Sequence, residues 1–294
     1  MSVTASPLTL SAIVPALRAA GCVFAEDEAE LILATATDPA AVAAMVERRV
    51  AGLPLEHVLG WAEFDGLRIA VGPGVFVPRR RTEFLVRQAA ALTAPGAVVV
   101  DLCCGSGALG AALAATLGRA ELHAADVEPA AVRCARRNIG DAGEVYEGDL
   151  FEPLPASLRG RVEILLANVP YVPTDDVGLL PAEARIHEPR VALDGGADGL
   201  DVLRRVTAEA PRWLAPGGHL LVETSERQAA RAEETVARSG LIPRVVRSEE
   251  LCATVVIATR ACPVDQGRSG RGVWCGASQG AGASWVGSPL LERS

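Results

Sequence analysis

A glycine-rich turn between an apolar strand and an alanine-rich helix is the first feature of the sequence that could do chemistry. Residues 98–110 are VVVDLCCGSGALG, so a buried strand should end near Asp101 and a helix should begin after the turn. Glycine lets the backbone approach a ligand closely, at the positive end of the helix. The pattern predicts that the turn holds a cofactor through Cys103, Cys104, Gly105, Ser106 and Gly107.

Two kinds of cofactor fit this turn. Gly105 to Gly110 matches GxGxxG, and Asp126 follows at the distance of a ribose-binding carboxylate, so a nicotinamide dehydrogenase is a genuine alternative. Asp101 at the strand end favours the other kind, because a carboxylate there would repel a pyrophosphate by a few kcal/mol at an effective dielectric of about 20. It would suit an ammonium and a sulfonium, and S-adenosylmethionine carries both. In the alternative interpretations Asp101 caps the turn through backbone N–H groups, and Asp126 is a solvated strand end.

A third acidic residue follows the next strand. Asp149 and Leu150 come after a strand near Val145, at the sheet edge where Asp101 and Asp126 should also lie. Ligands of open α/β sheets bind along that edge. Asp149 is about equally well explained as a turn residue and as a ligand contact.

The fourth core strand ends in an unusual tetrapeptide, Asn168, Val169, Pro170 and Tyr171. The side-chain oxygen of Asn168 and the carbonyl of Val169 could accept both N–H bonds of a planar amide or exocyclic amine, and the Tyr171 ring could stack on it. Accepting those bonds would aim the nitrogen lone pair at a methyl donor, so catalysis would be largely positioning. The alternative is a rigid turn with a packing tyrosine.

The elements that must position these residues form a helical segment followed by an alternating pattern. Three- and four-residue apolar spacing predicts about three helices before residue 51, and residues 61–77 predict a β-hairpin with its turn at Gly72–Gly74. Strands and helices then alternate, which predicts a parallel, doubly wound sheet, with one of the last two strands antiparallel because their link is short. We therefore expect a helical substrate-binding domain at 1–60, a hairpin linker at 61–78, a catalytic domain at 79–261 and a disordered tail at 262–294.

The composition of the sequence argues against several classes of protein. The 294 residues carry a net charge of −8 with a pI of about 5.2, which disfavours stable nucleic-acid binding. No membrane-spanning run or leader is evident, so we expect a cytoplasmic protein. The seven cysteines form no CxxC pair and have no nearby histidine partners, which argues against a zinc site and against a disulfide framework.

Taken together, these motifs resemble those of the HemK/PrmC-type protein glutamine N(5)-methyltransferases over about residues 8–260. The resemblance implies a Rossmann-like, seven-stranded class I methyltransferase sheet, S-adenosylmethionine as cofactor and a monomeric enzyme. It is carried by Gly74–Arg79 with Thr82 and Glu83, Asp101–Gly107, Asp126, Gly148–Phe151, Asn168–Tyr171, Glu188–Pro189, Ala192–Gly196 and Asp198–Leu200.

The resemblance also implies residue roles. Residues 103–107 would hold the methionine end of the cofactor, Asp126 the ribose, and Asp149 with Leu150 the adenine. Asn168 to Tyr171 would bind the target glutamine amide, with Arg79 and Glu83 as further substrate-binding residues. The implied substrate is a glutamine in the Gly-Gly-Gln loop of a peptide-chain release factor, which the N-terminal helices would grip.

The sequence departs from the family pattern in three motifs. Val169 replaces the first proline of Asn-Pro-Pro-Tyr, Cys103 replaces a glycine, and Arg80 and Arg81 replace a proline and an acidic residue. We expect catalysis to survive Val169, because a backbone carbonyl serves as acceptor whatever the side chain. The arginine run is better explained as solvated charge at a helix start than as substrate recruitment. Methylation of a nucleic-acid base or of a ribosomal-protein glutamine, and an inactive cofactor-binding relative, remain alternatives.

Overall fold

The computed structural model describes residues 9–262, so the predicted disordered tail lies outside the described residues except for Cys262. Four helices come first, α1 (Leu10–Ala19), α2 (Ala25–Thr35), α3 (Pro39–Val50) and α4 (Leu55–Leu59). Asp38 caps α3 by accepting the Ala41 N–H at 2.8 Å, and Pro39 is the first residue of the helix. These helices bury their own apolar cluster, which includes Ile13, Leu17 and Ile32. The domain boundaries at 60 and 78 stay a prediction.

The hairpin is present, but its predicted turn is wrong. Strands β1 (Trp61–Phe64) and β2 (Leu67–Ala70) pair antiparallel, and Phe64 lies opposite Leu67. The turn is therefore Asp65–Gly66, with φ of 48° and 76°, and not Gly72–Gly74. Asp-Gly tolerates two successive left-handed residues, and such a turn matches the twist of the strands it joins.

A seven-stranded sheet follows, as predicted. It consists of β3 (Val98–Leu102), β4 (Glu121–Asp126), β5 (Gly143–Glu147), β6 (Val162–Ala167), β7 (Leu214–Thr224), β8 (Ile242–Ser248) and β9 (Ala253–Thr259). The strand order is β5-β4-β3-β6-β7-β9-β8. β9 pairs antiparallel with both β7 and β8, and the pairs among β3 to β7 are parallel. The short link between the last two strands allows no crossover helix, which is why one strand reverses.

Helices cover both faces of this sheet. The helices are α5 (Glu83–Ala91), α6 (Ala108–Leu117), α7 (Pro129–Ile139), α8 (Ala182–His187), α9 (Asp201–Trp213) and α10 (Ala229–Arg238). Val99 packs in one core with α5, α6 and α7, while its neighbour Val100 packs in the other with α9 and α10. Successive strand residues point to opposite faces, so a continuous apolar run buries both. No helix within residues 9–262 is long and apolar enough to span a membrane.

The strand register brings the predicted site residues to one edge. Leu102 at the end of β3 lies beside Ala125 of β4 and Ala167 of β6, and Asp126 lies beside Glu147 of β5. The loops that follow these strands therefore start side by side. This edge is where a doubly wound sheet binds its ligand.

Candidate active site

A cavity of about 500 Å³ opens at this edge, within the size range of small-molecule sites. Most of the predicted site residues line it together, namely Arg79, Cys103, Cys104, Gly105, Ser106, Asp126, Asp149, Leu150, Asn168, Val169, Pro170 and Tyr171. Asp101, Gly107 and Glu83 do not line it. The sequence thus predicted the sheet edge at which the cavity lies and twelve of the residues that line it.

Asp126 joins the end of β4 to the glycine turn. Its carboxylate accepts the Gly105 N–H at 2.8 Å and the Glu128 N–H at 2.9 Å. Burial raises the pKa of Asp126, and these N–H bonds oppose that rise. A carboxylate has about four acceptor positions, so both oxygens can still accept ribose hydroxyls from the cavity side. The solvated strand-end interpretation does not describe this half-buried, doubly bonded group.

Asp101 lies outside the cavity lining and contacts the backbone of the helix that follows the glycine turn. One oxygen accepts the Gly110 N–H at 3.0 Å, and the other has no hydrogen-bond partner. The side chain is fully buried, and this burial raises its pKa to about 7. The capping alternative therefore describes one oxygen of Asp101, while the unpartnered oxygen leaves an acceptor for a cation. A direct cofactor contact of Asp101 stays a prediction.

The turn itself contains an unusual backbone conformation. Cys103 has φ of 53°, in the left-handed region that favours glycine, and glycine is the family residue there. Holding another residue in that region costs on the order of 1 kcal/mol. Gly107 has φ of 76°, and a Cβ on it would meet Ala135 of α7 at 3.1 Å. Gly107 therefore does not contact the ligand space and instead lets α6 start close to α7.

The third acidic residue has a partner that the sequence did not reveal. Arg205 of α9 donates to the Asp149 carboxylate at 2.5 Å, and both residues line the cavity beside Leu150 and Val202. Asp149 is therefore a cavity residue rather than only a turn residue. The pair forms a polar rim beside an apolar patch, which suits a purine ring with its exocyclic amine.

The residues fit S-adenosylmethionine. The Asp126 carboxylate lines the cavity and offers acceptors to a ribose, while the buried Asp101 lies outside the lining and adds negative charge behind the glycine turn. Leu150 and Val202 add apolar surface to the cavity wall. A dinucleotide pyrophosphate would face this negative charge directly, so the geometry disfavours the nicotinamide alternative.

Asn168 and Val169 present free hydrogen-bonding groups beside the cofactor region. Asn168 is half-buried, and within residues 9–262 its side chain has no hydrogen-bond partner. The Val169 side chain is buried, and its backbone carbonyl likewise accepts no bond from the described residues. Both oxygens are therefore available to an amide that enters this cavity, and their binding of the target amide stays a prediction.

The hydroxyl of Tyr171 belongs to a closed hydrogen-bonded ring. It donates to Glu223 Oε1 at 3.1 Å and accepts from Arg81 Nη2 at 2.6 Å, while Arg81 Nε donates to the same Glu223 oxygen at 3.0 Å. Burial raises the pKa of Tyr171 to about 12, so the hydroxyl is neutral near pH 7. We call these three residues the tyrosine ring cluster. The cluster fixes the tyrosine side chain at the end of the tetrapeptide.

The backbone of the tetrapeptide is held by a glycine loop and by Gln228. Gln228 Nε2 donates to the Tyr171 carbonyl at 2.8 Å. A Cβ on Gly195 would lie 2.6 Å from the Pro170 carbonyl oxygen, and one on Gly199 would lie 2.3 Å from that of Tyr171. Only glycine permits this close contact. The glycines of the family pattern thus support the acceptor tetrapeptide from outside the cavity.

The arginine run is mostly paired, so its interpretation as solvated charge was wrong for two of the three residues. Arg79 donates to both oxygens of the buried Glu188 at 2.7 Å, and Arg81 belongs to the tyrosine ring cluster. Both line the cavity, whereas Arg80 does not. The long-range carboxylates that pair these arginines lie more than 100 residues away, so the local sequence could not reveal them.

Glu83 lies outside the cavity lining. Its carboxylate accepts the Asp65 N–H at 3.2 Å and a bond from Arg87 at 3.1 Å, outside the cavity lining. It connects the hairpin turn to α5. Glu83 thus makes a structural contact, and the substrate role that the resemblance implies for it stays a prediction.

Sequence reasoning missed four residues of the site, namely Arg81 as a partner of Tyr171, Arg205, Glu223 and Gln228. Glu223 offered a faint signal, because a carboxylate next to the end of an apolar strand is costly unless it is paired. The other three lie on helix starts or exposed helix faces, where polar residues are ordinary. Their partners became evident only in three dimensions.

The sheet, the glycine turn and the acceptor tetrapeptide define a class I, S-adenosylmethionine-dependent methyltransferase. The fold matches the crystal structure of a methyltransferase from Pyrococcus furiosus, with a TM-score of 0.52 and 17% identity over 67% of this chain and 90% of that one. The sequence-family model of the methyltransferase small domain matches residues 66–196 of this chain.

Sequence relatives give the family. The release factor glutamine methyltransferase of Geobacter sulfurreducens is 40% identical over 204 residues, which cover 68% of this chain and 71% of that protein. That of Mycolicibacterium smegmatis is 39% identical over 242 residues, which cover 80% and 85%. The chain belongs to the release factor glutamine methyltransferase family.

Proposed function

We propose that this enzyme methylates the side-chain amide nitrogen of a glutamine in a peptide-chain release factor. The observation that carries the proposal is the pair of free acceptors, the Asn168 side chain and the Val169 carbonyl, in the cavity that the glycine turn also lines. The release factor is the substrate that the names of the relatives give. This substrate would place the reaction in the cytoplasm. A monomeric state stays a prediction.

The residues of this chain position the target amide and do not act as a general acid or base. Asn168 and Val169 accept the two N–H bonds of the glutamine amide, which fixes its plane and leaves the nitrogen lone pair directed along the cavity. The Tyr171 ring, held by its cluster, packs on that plane. The surrounding buried wall excludes water, which strengthens these hydrogen bonds.

A different set of residues would bind the cofactor. Residues 103–106 and Asp126 would hold the methionine and ribose parts of S-adenosylmethionine, and Asp149 with Leu150 the adenine. When bound, the cofactor supplies an electrophilic methyl group on a sulfonium. Asp101 beneath the turn adds negative charge where the cofactor is cationic. A protonated amide is a strong acid, so the product nitrogen can release its proton to water.

The nucleic-acid alternative has less support. An exocyclic base amine offers similar N–H geometry to the same acceptors, but the net charge of −8 disfavours a phosphate backbone. The three arginines that line the cavity, Arg79, Arg81 and Arg205, are all paired with carboxylates already. The hypothesis that this chain is an inactive cofactor-binding relative also has less support, because the Asn168 side chain and the Val169 carbonyl are both free to accept hydrogen bonds.

A labelled-methyl assay tests the proposal. Purified enzyme, S-adenosylmethionine labelled in the methyl group and an unmethylated bacterial release factor should give label on one glutamine, located by peptide mass spectrometry. The matched control replaces that glutamine by asparagine, whose shorter side chain should not reach the acceptors. Label in transfer or ribosomal RNA, with none in the release factor, would overturn the proposal.

A further inference from the structure

The helix α8 forms part of the cavity wall although it buries no side chain of its own. Glu183 and Ala184 line the cavity, as does Glu188 directly after the helix. None of the residues of α8 is buried. A helix usually holds its place in a protein by burying an apolar face. The position of α8 must therefore depend on the contacts at its two ends.

An ion pair fixes each end of α8. After the helix, the buried Glu188 accepts hydrogen bonds from Arg79 on both carboxylate oxygens. At the start of the helix, Glu183 accepts a hydrogen bond from Arg49 Nη1 at 2.5 Å. Glu183 and Arg49 lie 134 residues apart in the chain. The second ion pair therefore connects the N-terminal helices to the cavity wall.

Arg49 joins several elements through one buried side chain. It lies in the last turn of α3, and its side chain is 9% exposed. Its Nε and Nη2 donate to the two oxygens of Glu28 in α2 at 2.6 and 3.0 Å, and its Nη1 also donates to the Leu53 carbonyl at 2.9 Å. Hydrogen bonding to Glu28 raises the pKa of Arg49, so the guanidinium stays charged despite its burial. Because Leu53 precedes the cavity residue Pro54, Arg49 connects two parts of the cavity wall to each other.

The loop that contains α8 begins and ends beside the acceptor tetrapeptide. Residues 173–193 follow Tyr171 closely, and Val172 and Asp194 form a parallel bridge at the base of the loop. The Gly195 N–H donates to the Val172 carbonyl at 2.8 Å. The position of α8 is therefore coupled to the acceptor end of the cavity through a short length of chain.

We propose that Arg49 is a positioning residue for methyl transfer to the polypeptide substrate. It holds α8 in place through Glu183, and α8 in turn shapes the cavity that receives the target glutamine. The proposal rests on the proposed function, since the substrate at that wall is a polypeptide. The N-terminal helices thereby set the shape of the active site, in addition to any contact that they make with the release factor.

The test is Glu183→Ala in the full-length enzyme, measured with an intact unmethylated release factor. The Glu183 side chain is 47% exposed, so its removal should leave the fold intact. We expect kcat/KM for the release factor to fall about tenfold, the effect of one lost charge-assisted hydrogen bond, with the dissociation constant of S-adenosylhomocysteine within about twofold. Glu183→Gln keeps an oxygen for Arg49 and should recover most of the loss. A wild-type kcat/KM in Glu183→Ala would overturn the proposal.

The matched control is Glu234→Ala on α10. Glu234 is also an exposed carboxylate paired with an arginine, Arg238, but it lies outside the cavity lining. This variant should have the kcat/KM of the wild type. Hydrogen–deuterium exchange adds a measurement that needs no substrate, because the amides of α8 should exchange faster in Glu183→Ala and not in Glu234→Ala. Unchanged exchange in α8 would show that Glu183 does not hold the helix.

A second background separates positioning from a direct contact of Glu183 with the substrate. Glu28→Gln combined with Arg49→Gln removes the arginine without leaving the buried Glu28 carboxylate unpaired. If Arg49 acts through Glu183, adding Glu183→Ala to this background should lower kcat/KM less than twofold. A full tenfold loss there would overturn the positioning role. If circular dichroism shows that this background does not fold, Glu183→Ala and its exchange data decide alone.

The outcome for the wild-type enzyme separates this inference from the proposed function. A wild type that methylates the release factor, together with a Glu183→Ala variant that behaves identically, would overturn the role of Arg49 and leave the proposed function standing. A wild type that fails to methylate the release factor would overturn both.

Discussion

The two halves of the sheet edge hold their functional side chains in different ways. In the cofactor half, Asp101 bonds to a backbone group nine residues away and Asp126 to one 21 residues away. In the acceptor half, Tyr171 is held by Arg81, 90 residues away, and by Gln228, 57 residues away, and Arg81 reaches Glu223 across 142 residues. Asp149, held by Arg205 of α9, is the long-range exception in the cofactor half.

This difference implies different responses to mutation. Residues in the cofactor half bond mainly to the turn that contacts the cofactor, so their loss should appear in cofactor affinity. Residues in the acceptor half align a side chain and a backbone carbonyl from several distant elements. Their loss should appear in turnover, with cofactor affinity nearly intact.

Asn168→Ala should give the largest effect. It removes an acceptor for the target amide and the alignment that this bond enforces, so kcat should fall about 100-fold or more. The dissociation constant of S-adenosylhomocysteine, measured by calorimetry, should change less than about threefold. Turnover near the wild-type rate would mean that the acceptor site lies elsewhere.

Asp126→Ala should produce the opposite pattern. It removes the predicted ribose acceptor and the bond to the Gly105 N–H, so cofactor binding should weaken about 30-fold, equivalent to roughly 2 kcal/mol. At saturating cofactor kcat should stay within about threefold. Steady-state kinetics at several cofactor concentrations separate the two parameters. A large loss confined to kcat would contradict the assignment of cofactor affinity to one half of the sheet edge and of turnover to the other.

Arg81→Ala opens the tyrosine ring cluster and should lower kcat about tenfold with cofactor affinity unchanged. Arg80→Ala, an exposed neighbour of the same charge, is the control and should behave as wild type. If Arg81 acts by orienting Tyr171, Arg81→Ala should add little in a Tyr171→Phe background. Fully additive losses in this double-mutant cycle would show that Arg81 acts independently of the tyrosine.

Asp101 gives a smaller, pH-dependent effect. Its pKa is raised to about 7 by burial, and a cationic cofactor favours the ionised form. Binding should therefore release protons and weaken about threefold between pH 7.5 and 6.5, as the ionised fraction falls. Calorimetry in buffers of different ionisation enthalpy measures the protons, with Asp101→Asn as control. Affinity that is independent of pH would leave Asp101 as a cap for the turn alone.

Val169→Pro should have the smallest effect. It restores the family tetrapeptide, and the Val169 N–H donates no hydrogen bond to the described residues, so none is lost. The carbonyl remains, and kcat should stay within about threefold of wild type. A larger loss would show that the flexibility of this loop, or the buried valine side chain, contributes to the reaction.

The sequence alone determined the fold class, the seven strands, the antiparallel direction of one of the last two strands and the sheet edge at which the cavity lies. These features depend on short-range patterns, because apolar runs, turn residues and strand ends lie close together in the chain. The hairpin turn was misplaced since Asp65-Gly66 and Gly72–Gly74 both carry turn residues, and only pairing of β1 with β2 selects one of them.

Tertiary structure alone decided how the acceptor half is held. Arg79 and Arg81 are exposed charges in any local interpretation, yet packing brings them to the buried Glu188 and Glu223. Glu83 was expected at the substrate and lies instead against the hairpin turn. A buried carboxylate needs a charged partner but does not specify where along the chain that partner lies, so the pairing follows from the packing of the whole fold.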